Sequence, residues 1–195
     1  VTAIAVDSCS KYFLTGSADS TVLVWTFASI LSFSQGSDES FSNSSSRVPQ
    51  HTLTAHRAPI TGLATGHSNH SSNFAVSISE DKSALVWHIS TGSLLRTYLL
   101  LDTPRSLILD PADRACYVGY EDGSVQMMDF YMPGAIVSVA DENGVSAPIQ
   151  VLPKSKWSLP ASAIEKKSNL GAAICLSLSF DGTRLLTGHQ SGKIS

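Results

Sequence analysis

His56, Ser77, Ser79 and Asp81 have the side-chain types that acyl transfer uses. A serine hydroxyl can act as nucleophile, an imidazole as its base, and a carboxylate as the group that orients the imidazole. That chemistry also needs a strained elbow beneath the nucleophile and backbone donors for the oxyanion. Neither serine stands in a G-x-S-x-G frame, so no catalytic residue is assigned. "GHSNHSS" (66–72) sets His67 and His70 three apart, half of what a metal site requires. No cysteine or carboxylate follows at zinc-site spacing, and a polar connecting loop is the expectation. "GVSAP" and "LGAA" contain glycine without the frame of a phosphate-cradling loop, so no cofactor is expected. Lys154, Lys156, Lys166 and Lys167 put four of the 13 basic residues around Trp157. These five residues are the candidates for contact with RNA or an acidic partner.

The positions of these residues follow a repeated pattern. "SISEDKSALVWHIS" (77–90) and "TGSADSTVLVWTFA" (15–28) share alternating apolar residues, a charged turn and a late tryptophan. Asp81 precedes Trp87 by six residues, as Asp19 precedes Trp25, with Ser79 or Ser17 two residues earlier still. "VGYEDGSVQMMDF" (118–130) keeps this frame, with Asp122 six residues before Met128. Alternation of this kind, broken by Asp-Pro, Asp-Gly and Ser-Gly turns, predicts short strands paired through hairpins. Trp25 to Trp87 is 62 residues and Trp87 to Met128 is 41. Without a Ser-rich insertion, the first interval falls to the roughly 40–45 residues of one four-stranded propeller blade.

The predicted fold is all-β, with blades at about 1–54, 59–100, 105–152 and 172–195, the last one incomplete. "PIQVL" (148–152) is expected to form the fourth strand of the third blade. Insertions occupy 28–49 and 131–171. The first holds nine serines among the 18 residues from Ser29 to Ser46, so residues 36–46 are expected to be removable. Ile30, Leu31 and Phe33 at its start are expected to pack on the rim. Three blades and part of a fourth do not close a ring, so the chain is expected to be a piece of a larger propeller.

Composition limits the function classes. Only 15% of residues are charged, against about 25% in ordinary soluble domains, and 33 serines carry the polar load. A net charge of −3 supplies no basic field for nucleic acid. Cys9, Cys116 and Cys175 are far apart and form no CxxC pair; buried or half-buried free thiols in a reducing compartment are expected. No apolar run reaches the roughly 18 residues of a membrane span, and the opening "VTAIAVD" has no signal-peptide pattern.

The repeat resembles the WD-repeat propeller family, marked by Gly-His before the inner strand and Trp-Asp ending the third. Ala55-His56 and Trp87-His88 stand in these places. The resemblance implies a structural hydrogen-bond network of His56, Ser77 or Ser79, Asp81 and Trp87 in the second blade. The first blade keeps Ser17, Asp19 and Trp25; the third keeps Asp122. Within that family, "TGSADSTVLVWTFASILSF" (15–33), "HTLTAHRAPITGL" (51–63), "SISEDKSALVWHISTGSLLRTYLL" (77–100) and "LDPADRACYVGYEDGSVQMMDF" (109–130) are similar to the WD-repeat subunits of Rix–Ipi complexes. The implied function is a non-catalytic scaffold in the nucleus, nucleolar or nucleoplasmic, that joins Rix and Ipi subunits on pre-ribosomal particles. It would support removal of the second internal transcribed spacer and help recruit a large remodelling ATPase. A WD-repeat peptide adaptor, such as a ubiquitin-ligase substrate receptor, is the alternative; a basic ring with Arg57 and Arg105 on it would favour that. An enzyme on a propeller scaffold would need carboxylates or metal ligands clustered at the blade tops.

Overall fold

Alternating apolar residues and hairpin turns fold the chain into a succession of twisted sheets. The computed structural model describes residues 1–28, 48–67, 73–130 and 171–194, and the backbone of 135–137 and 149–151. The first sheet is antiparallel in the order β1 (Ala3–Val6), β2 (Tyr12–Gly16), β3 (Val22–Thr26), β4 (His51–Leu53). The second contains β5 (Ile60–Thr65), β6 (Phe74–Ser79), β7 (Ser83–His88) and β8 (Ser93–Leu99). The third contains β9 (Pro104–Leu109), β10 (Ala115–Tyr120) and β11 (Val125–Asp129). Two short strands follow, β12 (Ala135–Val137) and β13 (Ile149–Val151). The last sheet pairs β14 (Ala173–Leu178) with β15 (Leu185–His189), and an isolated bridge joins Gly188 to Ile194.

The expected placement of 148–152 is corrected here. β13 does not extend the third sheet. It lies parallel on β8, the outer strand of the second, with Ile149 beside Thr97 and Val151 beside Leu99. β12 then pairs antiparallel with β13, so the second sheet grows to six strands. The physical reason is that a short apolar run can complete any open ladder edge. Seven-residue β8 offers such an edge, and the intervening third sheet supplies the long crossover a parallel pair requires.

Successive sheets meet through their innermost strands: β1 lies against β5, β5 against β9, and β9 against β14. Hydroxyls stitch these strands together. Thr2 Oγ1 donates to the Ile60 carbonyl at 2.6 Å, Thr65 Oγ1 to Val6 at 2.7 Å and Ser106 Oγ to Ala173 at 2.7 Å. The approach is close enough to need glycine. A Cβ on Gly16 would meet Ile60 Cγ2 at 2.6 Å, and one on Gly119 would strike Ser106 and Ala173.

Two apolar clusters fill the gaps between sheets. Tyr12, Leu14, Val22, Val24, Leu85 and Trp87 pack between the first and second. Val76, Val86, Tyr98, Cys116, Val118 and Met128 pack between the second and third. β6 and β7 are buried on both faces because a neighbouring sheet covers each side. At the two ends of the succession Ile4, Val6, Ile174 and Leu186 remain exposed. Cys116 is buried, as expected, but Cys9 and Cys175 are exposed. Cys9 lies in a surface turn, and Cys175 is on β14 of the last sheet, which no further sheet covers among the described residues.

Candidate functional site

Hairpins β2–β3, β6–β7, β10–β11 and the turn after β15 share one backbone form. A turn closed by an i to i+3 hydrogen bond ends on a left-handed residue: Ser20 (φ 70°), Lys82 (φ 60°), Gly123 (φ 80°) and Gly192 (φ 81°). The residue before it in the first three is Asp19, Asp81 or Asp122. Each carboxylate accepts the backbone N–H two residues on, from Thr21, Ser83 or Ser124, at 2.9–3.0 Å. The aspartates recur because an Asx turn stabilises this bend.

In the second sheet the carboxylate reaches beyond its own turn. Asp81 Oδ2 accepts the Arg57 N–H at 2.9 Å and lies 3.0 Å from His56 Nδ1. His56 Nε2 lies 2.7 Å from Ser77 Oγ, which accepts the Trp87 Nε1–H at 2.8 Å. A carboxylate at Nδ1 fixes the tautomer: Nδ1 carries the proton, so Nε2 accepts from the Ser77 hydroxyl. The chain of donors then runs from Trp87 to Ser77 to His56 to Asp81. Ser83 Oγ donates to Asp81 Oδ1 at 2.5 Å and completes the cluster. Burial acts to raise the Asp81 carboxyl, but hydrogen bonds from His56, Ser83 and the Arg57 N–H outweigh it. They hold that group well below the usual carboxylate range. Ser79 is buried outside this chain, donating to the Ala58 carbonyl at 2.8 Å and receiving the Asp81 N–H.

The cluster has the composition of a hydrolase triad and none of its access. Ser77 is fully buried, and its oxygen is already shared between Trp87 and His56. Substrate has no route to that oxygen.

The first sheet carries a shortened version. Trp25 Nε1 donates to Thr15 Oγ1 at 3.0 Å, not to Ser17, which instead receives the Asp19 N–H at 3.4 Å. Thr15 was missed in the sequence, though the spacing held it: Thr15 precedes Trp25 by ten residues, as Ser77 precedes Trp87. Thr21 and Ser17 lower the exposed Asp19 carboxyl.

In the third sheet the matching positions are found through the ladder. Glu80 N donates to the Pro59 carbonyl and Glu121 N to that of Thr103, which aligns His56, Ser77 and Trp87 with Leu100, Val118 and Met128. All three replacements are buried in one apolar cluster. Asp122 caps Ser124 in its own turn. In the last sheet Thr187 Oγ1 lies 2.9 Å from His189 Nε2, so the imidazole comes from the strand itself.

The remaining candidates divide as follows. His67 N donates to both oxygens of Asp113, at 2.8 and 2.9 Å; His70 lies outside the described residues. Among the described residues no group of three or more His, Cys, Asp or Glu is placed to hold a metal. Arg105 is gripped between Glu80 Oε1 at 3.1 Å and Glu121 Oε2 at 3.0 Å. Ile30, Leu31, Phe33, Lys154, Lys156, Trp157, Lys166 and Lys167 lie outside the described residues.

The family described as "WD domain, G-beta repeat" matches residues 1–26 and 47–88. The chain is 28% identical over 201 residues to the pre-rRNA-processing protein IPI3 of Candida albicans, covering 100% of this chain and 39% of that protein. It is 26% identical to the pre-rRNA-processing protein crb3/ipi3 of Schizosaccharomyces pombe, over 92% of this chain and 42% of the other. Human WD repeat-containing protein 18 is 27% identical over 93% of this chain and 36% of its own length. The chain therefore spans well under half the length of these relatives.

Proposed function

From a chain that carries WD repeats, we propose a non-catalytic scaffold subunit of a nuclear complex that acts in pre-rRNA processing and large ribosomal subunit maturation. The observation that carries this reading is similarity along nearly the whole chain to proteins named for pre-rRNA processing in two fungi. The enclosed Ser77 supports the non-catalytic part, because the triad-like constellation found among the described residues is consumed in tying β6 and β7 to the loop before β5. Its partners under this reading are other subunits of a Rix–Ipi type complex and the pre-ribosomal particle, reached from the nucleolus or nucleoplasm. Trp157 with Lys154, Lys156, Lys166 and Lys167 is the segment assigned to docking. Against the basic-ring form of the peptide-adaptor alternative, Arg105 is already occupied by two glutamates.

Affinity purification of the full-length protein, with its proteins and RNA identified, tests this proposal. Large-subunit precursors and pre-rRNA retaining the second internal transcribed spacer are expected. Recovery of ubiquitin-ligase subunits without pre-rRNA would overturn it.

A further inference from the structure

An open cavity of ≈ 300 Å³ lies where the second and third sheets meet at the outer rim, walled by Phe74, Val86, Leu95 and Phe130. That volume is at the small end of ligand pockets, roughly 300–1,000 Å³, and suits one large side chain better than a nucleotide. Phe74 and Phe130 stand edge to face at 5.8 Å, leaving a rigid aromatic wall.

The charged groups at this wall are one arginine and one aspartate. Arg96 lines the cavity and is exposed; Nη1 donates to the Phe130 carbonyl at 2.5 Å. Among the described residues Arg96 forms no salt bridge, in contrast to Arg105 with its two glutamates. Behind the wall, Tyr98 packs 6.2 Å from the Phe130 ring; burial pushes its hydroxyl up, and Arg96 acts against that rise. The cavity's acid, Asp113, has both oxygens engaged by the His67 N–H. His88 Nδ1 is taken up by the hydroxyls of Ser90 and Thr91 at 3.2 and 3.0 Å. The remaining donors of the exposed Arg96 guanidinium, at the lip of an apolar cavity, complement a carboxylate next to an apolar side chain.

We propose that this cavity receives an apolar side chain from an extended segment of a partner protein, with an acidic side chain on the next residue held by Arg96. The proposal rests on the scaffold reading for there being a partner, and on the cavity alone for its chemistry.

The test uses the full-length protein and ligand-observed NMR with acetylated, amidated Gly-Phe-Asp-Gly, Gly-Phe-Asn-Gly and Gly-Ala-Asp-Gly. Saturable binding of the Phe-Asp peptide in the roughly millimolar range is expected, with none for Ala-Asp. Arg96→Met should weaken Phe-Asp about five-fold and leave Phe-Asn unchanged, the size of effect an exposed ion pair supports. Leu95→Trp should abolish binding of both. The two positions are on the surface, and an unchanged melting temperature verifies the fold of each variant. No saturable Phe-Asp binding, or an equal loss of Phe-Asn in Arg96→Met, would sink the proposal. Peptide binding needs no complex, so its failure leaves the scaffold reading standing, and failed co-purification leaves the cavity standing.

Discussion

Between the second and third sheets the backbone frame is the same and the interior chemistry is opposite. His56, Ser77 and Trp87 form a hydrogen-bonded chain, while Leu100, Val118 and Met128 occupy the matching positions as apolar packing. The turns above them do not register the difference: Asp81 and Asp122 each cap the residue two along at 2.9 Å. The hairpin is therefore encoded in the Asp and the left-handed residue after it, and the interior is a separate choice. Both complete sets are viable because a fully satisfied network and a fully apolar one leave nothing unpaired. A mixture is the costly state.

The largest effects should come from emptying either interior. Trp87→Ala is expected to cost about 3–5 kcal/mol and Met128→Ala about 2–5 kcal/mol, the ranges for core truncations. Denaturant titration of the full-length protein measures both. A Trp87→Ala loss below about 0.5 kcal/mol, the size of a surface change, would contradict its burial against the first sheet.

Mixing the two chemistries comes next. Ser77→Val should cost about 1–3 kcal/mol, because it leaves the Trp87 N–H without its acceptor and the His56 Nε2 without its donor. Transplanting the whole apolar set, His56→Leu with Ser77→Val and Trp87→Met, should cost less than the three single changes summed, since contacting residues are not additive. An additive triple would mean that the three side chains do not act as a unit.

The repeat made much of this legible in advance. Asp19, Asp81 and Asp122 mark the turns, and the alternation around them places the strands. What the sequence hid was pairing over distance. Ser77 and Ser79 are both buried and two residues apart on one strand, so they point to the same face; only the position of Trp87 Nε1 selects Ser77. Leu100 and Val118 carry no sign that they replace polar residues, because apolar side chains are what any strand interior would hold. "PIQVL" could complete more than one sheet edge, and its own residues do not say which.

A smaller effect separates the sheets by pH. Asp81 titrates lower folded than unfolded, so its contribution is present above the ordinary carboxylate range near pH 4 and is lost as pH falls through the folded value. Stability should therefore decline on acidification less steeply in Asp81→Asn than in the parent, by about one proton's worth of slope. Urea titrations between about pH 7 and pH 3 measure it. Parallel curves for parent and variant would show that His56, Ser83 and the Arg57 N–H do not stabilise the carboxylate.

The smallest effect tests whether the turn is independent of the interior. Gly123 and Lys82 occupy the same left-handed position, one with glycine and one without. A non-glycine residue there is strained by about 1–3 kcal/mol, while glycine gives back about 0.4–1 kcal/mol through the freedom of the unfolded chain. Lys82 also faces Asp102 at 3.5 Å, an exposed pair worth little. Lys82→Gly should then leave the second sheet unchanged or stabilise it by up to about 1 kcal/mol. The reverse change, Gly123→Ala, should destabilise the third, because the new Cβ would meet the Gly171 carbonyl at 2.7 Å as well as the backbone strain. The two melting temperatures should move in opposite directions or only the second should fall. A clear loss in Lys82→Gly would tie the turn to the network beneath it and end the separation of hairpin from interior.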